Sequence, residues 1–442
     1  MTAAVGTLRQ RVVAGFGANS FGMAMGIAMQ LAALPLFLAV WDLHTYGVWL
    51  MIAAVPAYLA MADVGMVTAA GNRMTMALGA GRLDEARRVF HSAQAFVLVA
   101  CGAVAALALP AILWAPWPAA ASLDLRLALV LLTLGVLLAF AGGLCDQWFR
   151  ATHRYAQGTM LGHAARLAEW AGGFAGLFLH GSFTAVAAGM LAGRLAGTLL
   201  SMALARSGCA LLDWGLAAAD RRCVRELLRP AAGFMAFPVA NALSLQGVTL
   251  LVGALLGPAA VAVFNTFRTL ARMTVQASSL FSHALWPEFS RLYGQGPAQA
   301  QALARLVRRA SGWTALQALV LSIALYLLAP TLLQVWTRGE IGFDATVFAL
   351  LTAYAFVAGL WHVPRVLLMA GNRHGVLALW ALAAALLGLG LCYGLGSVHA
   401  LAGVALGMLL AEALLALACY WLARHGLWPA QAAPAPLREA LP

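Results

Sequence analysis

From Val12 to Ala423, apolar stretches of membrane-spanning length alternate with short polar gaps. The pattern predicts about twelve helices, over residues 12–40, 45–70, 92–115, 127–149, 157–180 and 184–206, then 231–256, 259–285, 312–335, 345–368, 376–397 and 400–423. At 1.5 Å per residue, each reaches across a hydrocarbon core of about 30 Å. Gaps on one side are short; the longest, 114–126 and 336–344, are edged by tryptophan, as expected at a headgroup boundary. Gaps on the other side are longer, and residues 82–91, 216–229 and 298–310 alternate Arg with Leu, Val and Phe at helical spacing. These three are expected to lie along the membrane surface as amphipathic helices.

Charge gives the pattern a direction. All 27 basic residues are arginine, and 21 of them fall in the N-terminus, in every second gap and in the tail. Only Arg126 and Arg338 occupy the opposite gaps. The positive-inside rule then puts both termini in the cytoplasm. Four arginines remain, Arg166, Arg194, Arg268 and Arg272, and they lie within apolar stretches, where an ionised side chain costs several kcal/mol.

The chain repeats itself. Residues 189–208, GMLAGRLAGTLLSMALARSG, align without gaps on residues 407–426, GMLLAEALLALACYWLARHG, with eight of twenty positions identical. Ala151–Arg154 match Ala370–Arg373 at an offset of 219, and Arg87-Arg88 match Arg308-Arg309 at 221. An even number of helices per half implies a pseudo-two-fold axis along the membrane normal. The expected organisation is a six-helix bundle over 1–207, an amphipathic linker over 208–229, a second bundle over 230–425 and a tail over 426–442.

Several segments resemble the polysaccharide transporters, O-antigen flippases included, of the multidrug/oligosaccharidyl-lipid/polysaccharide (MOP) flippase superfamily. The resemblance spans nearly the whole chain. It is carried by the first helix with Asn19 and Pro35, by Tyr46-Gly47 and AYLAMADVG at 57–65, and, in the second half, by LLVGALLGPAAVAVFNTFRTLAR at 250–272 and WPEFSRLYGQG at 286–296. These are loose patterns rather than fixed signatures. The resemblance implies a V-shaped, MATE-like pair of six-helix bundles. It also implies alternating-access transport of undecaprenyl-pyrophosphate-linked oligosaccharide, an O-antigen or exopolysaccharide repeat unit, with polysaccharide polymerase or other assembly proteins as possible partners.

The buried arginines suit such a cargo, because a pyrophosphate crossing a bilayer needs compensating charge and a guanidinium offers it as a bidentate fork. Arg268 and Arg272 share one face of the eighth helix, about 14 and 20 Å from its outer end. The other reading has them pair with Asp63, Glu169 or Glu412 and hold helices together. Arg194 and Glu412 occupy one register of the repeat and are expected to pair across the two bundles, while Gly189, Gly193 and Gly197 form a small-residue stripe beside Arg194. His163, Arg166 and Glu169 recur every three residues; Arg166 either contacts substrate or neutralises Glu169 within the helix. Asp63, Glu169 and Glu412 are the candidates for coupling to a proton or sodium ion, with Asp63 equally suited to a loop arginine. Asn19, Asn241 and Gln246 suit glycan hydroxyls or plain helix-to-helix hydrogen bonds.

Composition narrows the alternatives. A chain 63% hydrophobic and 10% charged does not describe a soluble protein of 442 residues. Its net charge of +12 follows from loops facing anionic lipids, so no nucleic acid is expected. The six cysteines are scattered without metal or redox spacing, and neither metal nor cofactor is expected. A chain without lysine cannot supply a phosphate-loop lysine, and no outer loop is long enough to carry enzyme catalysts, so no enzyme activity is expected. The alternative function is a multidrug or cation antiporter of the same superfamily. The first helix, however, carries no acidic residue before Asp42, and embedded arginines repel cations.

Overall fold

A computed structural model describes residues 8–60, 65–114, 122–152, 154–208, 214–295, 297–371 and 374–426. The described residues are helical throughout, without strands. The first part of the chain gives α1 (Leu8–Leu38), α2 (Leu43–Leu59), α3 (Met66–Gly79), α4 (Leu83–Trp114), α5 (Leu123–Ala151), α6 (Tyr155–His180) and α7 (Phe183–Gly208). There follow α8 (Arg221–Ala242), a π-helical turn (Leu243–Gly247), α9 (Val248–Leu256), α10 (Pro258–Ala284) and α11 (Trp286–Gly294). The last are α12 (Ala300–Trp336), α13 (Ala345–Leu360), α14 (His362–Ala370) and α15 (His374–Gly426).

Eight of these segments are long and apolar enough to cross a membrane by length and composition alone. The remaining crossings have local causes. α2, at 17 residues, ends early, and the chain resumes as α3 only after Gly65, whose φ of 73° cannot continue a right-handed helix. The single helix expected over 45–70 is therefore two, and Asp63 lies outside the described residues. α6 and α10 are made less apolar by the very residues of interest, His163, Arg166 and Glu169 in one and Arg268 and Arg272 in the other. α15 is two crossings joined at His399 and Ala400, where the backbone leaves helical geometry (Ala400 φ 49°). Twelve crossings result among the described residues, and the protein is an all-α, multi-pass membrane protein.

The three amphipathic segments expected on the membrane surface are instead continuous with the spans. Residues 83–91 begin α4, 221–229 begin α8 and 300–310 begin α12. The helix runs on from each polar turn into the apolar run that follows, through Pro230 in α8 and Gly312 in α12.

The helices gather into two compact units, Met1–Thr266 with Leu333–Gly342 (unit 1) and Phe267–Leu332 with Phe343–Pro442 (unit 2). Unit 1 has an apolar core at each end. At one end Phe37, Trp41, Tyr46 and Trp49 pack with Phe183; at the other, Phe90, Trp148, Phe149 and Met74 are fully buried. Four long-range hydrogen bonds explain why unit 1 reaches beyond α7. Pro35 has no N–H to offer the Leu31 carbonyl four residues back, and Trp336 Nε1 donates to that carbonyl instead, at 2.6 Å. Residues 214–220 are strapped to α4: Gly215 N donates to Gln94, Ala218 N to the His91 ring and Asp220 N to Ser92. α8 then lies against α3 and α4, where Arg73 bridges Glu85 and Glu226.

In unit 2, Phe267, Phe348, Tyr326 and Phe343 form one aromatic cluster. Beside it Thr274 meets Ser322 and Ser278 meets Gln317 by hydrogen bonds. The two arms of α15 approach so closely that a methyl on Gly403 would collide with the Leu395 carbonyl.

Candidate functional site

Glycine sets the geometry of unit 1. α6 and α7 form a hairpin in which Gly172 faces Gly189, Gly176 faces Ala185 and Gly193 faces Ala168, each so close that a Cβ would strike the opposing backbone. The stripe of Gly189, Gly193 and Gly197 thus works as a contact surface. Because Gly193 lies on Ala168, the next residues along each helix also meet: Arg194 Nη2 donates to Glu169 Oε2. Glu169 is therefore compensated by the neighbouring helix, not by Arg166 one turn away.

Around this pair, α5, α6 and α7 enclose a cavity of about 490 Å³. Its walls carry Asp146, Gln147 and Arg150 from α5, His163, Arg166 and Glu169 from α6, and Arg194, Thr198 and Ser201 from α7. From Tyr155 to Glu169 it follows α6 for about 21 Å, at 1.5 Å per residue. Asp146 and Arg166 have no hydrogen-bond or ion-pair partner among the described residues, and both are exposed into the space. The His163 ring is wedged against Gly22 of α1, where any side chain would overlap it, and touches Phe21 edge-on. Tyr155 donates to Asn19 Oδ1 at 3.2 Å and so brings Asn19 to the rim.

Unit 2 holds a different cluster. Arg268 is buried, 7% exposed, within electrostatic reach of Arg272, Tyr354 and Cys392. Glu412 on α15 accepts from Trp361 Nε1 at 2.7 Å, and the Arg365 guanidinium stands 5.7 Å from the centre of the same indole ring. Glu412 is in turn within electrostatic reach of Tyr354 and Arg365. The cluster comprises three arginines and one carboxylate.

No family model and no curated protein sequence matches the chain. Solved structures do resemble it along almost its full length. One is the inward-facing conformation of a multidrug resistance MATE family transporter of the MOP superfamily (TM-score 0.74, 13% identity, over 90% of this chain and 93% of that one). An outward-facing conformation of such a transporter gives a TM-score of 0.64 at 14% identity, over 93% and 95% of the two chains. A third is a MOP superfamily transporter from Pyrococcus furiosus, described as having a binding pocket of reverse polarity that suggests a different function (TM-score 0.60, 12% identity, 90% and 94% covered). The chain has the MOP-transporter fold.

On this fold the sequence-derived residues fall into three groups. Arg166, Glu169 and Arg194 meet in the unit 1 cavity, with Asn19 at its rim; Arg268, Arg272 and Glu412 meet in unit 2. Asn241 and Gln246 join neither: Asn241 ends α8 exposed, and Gln246 lies in the π-helical turn. Within its own unit Arg194 pairs with Glu169, and within its own unit Glu412 accepts from Trp361.

Two residues of the MOP fold's first unit escape the sequence reading. Asp146 and Gln147 sit at the end of the span over 127–149, next to Trp148-Phe149, where polar residues read as the span's boundary. The repeat carried a signal for Asp146: the offset of 219 places it on Arg365, just as the 218 offset of the best-matched stretch places Arg194 on Glu412. At both positions the sign of the charge is reversed between the halves.

Proposed function

We propose that the protein is a flippase, moving undecaprenyl-pyrophosphate-linked oligosaccharide across the bacterial cytoplasmic membrane by alternating access. The reading rests chiefly on the unit 2 cluster, where Arg268, Arg272 and Arg365 outnumber Glu412 at a site walled by apolar helices. Such an excess of guanidinium over carboxylate suits an anionic cargo, and a pyrophosphate brings both charge and acceptor oxygens for guanidinium forks. The MOP fold supports a transporter, and the reverse polarity described for its Pyrococcus furiosus relative agrees with pocket polarity varying on this fold.

A second reading, cation or drug antiport, draws on Asp146 and Glu169 in unit 1. One experiment separates the two. Protein reconstituted in liposomes is given lipid-linked oligosaccharide in one leaflet or ethidium in the lumen. Appearance of glycan in the far leaflet, lost in Arg268→Gln with Arg272→Gln, supports the flippase. Ethidium efflux driven by a proton or sodium gradient, with no glycan movement, replaces it with the antiporter.

A further inference from the structure

The geometry points to a carbohydrate subsite inside the unit 1 cavity, which takes sugar residues of the cargo and is separate from the arginines that hold its phosphates. The inference rests on the flippase reading and goes beyond it, since that reading places only the anion.

The occupant follows from the walls. A space of about 490 Å³ lies in the size range of small-molecule sites, roughly 300–1,000 Å³, and is far larger than a bare ion needs. Its charges are of both signs and interleaved: Asp146 projects from α5 towards Gly162 of α6, and Arg166 stands one turn further along α6. An inorganic cation in this space meets Arg150 and Arg166, and an inorganic anion meets Asp146. An apolar molecule leaves Asp146 and Arg166 without partners and strips them of water. A neutral molecule dense in hydroxyls satisfies both, because each hydroxyl both donates, to Asp146, and accepts, from Arg166. Thr159, Thr198 and Ser201 add hydroxyls that work in either direction.

The small residues of the wall fit the same occupant. A Cβ at Gly162 would sit 3.7 Å from both Asp146 carboxylate oxygens, and one at Gly142 would sit 3.6 Å from Thr198 Oγ1. Glycine thus leaves clear space in front of the carboxylate and the hydroxyl without being required for helix packing. These two positions differ from Gly172 and Gly189, whose contacts are backbone on backbone.

The test compares two probes that share a pyrophosphate and differ in glycan. One is lipid-linked oligosaccharide extracted from cells lacking the protein; the other is bare undecaprenyl pyrophosphate. Wild type in nanodiscs is expected to bind the glycosylated probe at least about tenfold more tightly, a gap of ~1.4 kcal/mol. Asp146→Asn with Thr198→Val, and separately Gly142→Ala with Gly162→Ala, are expected to bring the ratio of the two affinities close to one through weaker binding of the glycosylated probe. Arg268→Gln is expected to weaken both probes alike. Wild type that binds both probes equally, or two cavity variants that keep the wild-type ratio, overturns the subsite and leaves the flippase standing. Wild type that binds neither probe overturns both.

Discussion

The two repeat-related clusters occupy matching places in the sequence and solve opposite problems. In unit 1 the repeat position is Arg194, and a carboxylate from the neighbouring helix, Glu169, neutralises it. In unit 2 the matching residue is Glu412, which accepts a hydrogen bond from the Trp361 indole with the Arg365 charge within electrostatic reach. Unit 1 comes out nearly balanced, with three arginines and two carboxylates around its cavity, whereas unit 2 keeps three arginines against one. A shared backbone plan has not kept shared chemistry. Charges are reversed at Asp146/Arg365 and Arg194/Glu412, and on the proposed reading one unit takes a neutral polar ligand and the other an anion.

The contrast breaks most readily in unit 2. Replacing Arg268 and Arg272 together with Gln removes two charge-assisted contacts, each worth about 1.5–3 kcal/mol. Binding of bare undecaprenyl pyrophosphate is expected to fall by roughly two to four orders of magnitude, with Lys at both positions recovering part of it. Binding that persists in the Gln variant would show that the surplus charge is structural.

Next in size is the effect of unbalancing unit 1. Glu169→Gln leaves Arg194 facing an amide. With side-chain exposures of 14% and 27%, the cost is expected at ~1–3 kcal/mol, below that of a fully buried pair, read as a lower thermal midpoint in detergent. The double change Glu169→Leu with Arg194→Met is expected to restore most of the loss, since both charges leave together. Trp361→Phe in unit 2 removes only a neutral donor and should cost less, about 1 kcal/mol. An equal or larger loss for Trp361→Phe would erase the distinction between charge and dipole compensation.

Smaller still is the Trp336 contact. Trp336→Phe is expected to cost ~1 kcal/mol, the value of a typical hydrogen bond, and to cost almost nothing in a Pro35→Ala background, where residue 35 supplies the missing N–H. Additivity of the two changes would refute the coupling.

The smallest effect is on pH. Arg73, and after it Arg222, hold the Glu226 carboxyl below the usual glutamate range. Such a group stabilises the fold above its unfolded pKa and loses that contribution as pH falls through the lowered folded value. The acid-side decline of thermal stability should therefore be slightly shallower in Glu226→Gln. An unchanged acid limb would show that the fully solvated pair contributes nothing.

Much of this was legible in the sequence because lipid is a strict solvent. Hydropathy and arginine spacing marked the spans, and the embedded arginines pointed to both clusters, since charge within an apolar run is rarely idle. The glycine stripe beside Arg194 announced close packing. What it did not announce was the partner: Glu169 lies 25 residues away, and only the stacking of Gly193 on Ala168 selects it over Arg166's claim. The Trp336–Leu31 bond joins residues 305 apart, beyond any local pattern. Asp146 stayed hidden because a carboxylate near the end of a span reads as a boundary residue, and only the cavity shows that it lies beside Arg166.

The Trp336 bond and the strap over residues 214–220 also bear on biosynthesis. Unit 1 takes in chain as late as Leu333–Gly342, so its last stabilising contacts do not yet exist when α7 is complete. At roughly 5–20 residues per second, the ribosome needs about 7–27 s to advance from Gly208 to Gly342. Through that interval the first six crossings sit in the bilayer with the Leu31 carbonyl still waiting for its donor, whereas the strap over 214–220 follows α7 within about 3 s. Chains stalled after Gly208 should accordingly be cleaved by protease more readily within α1 and α4 than chains stalled well past Gly342. The wait gives an insertase or chaperone a defined period in which to hold the nascent first unit.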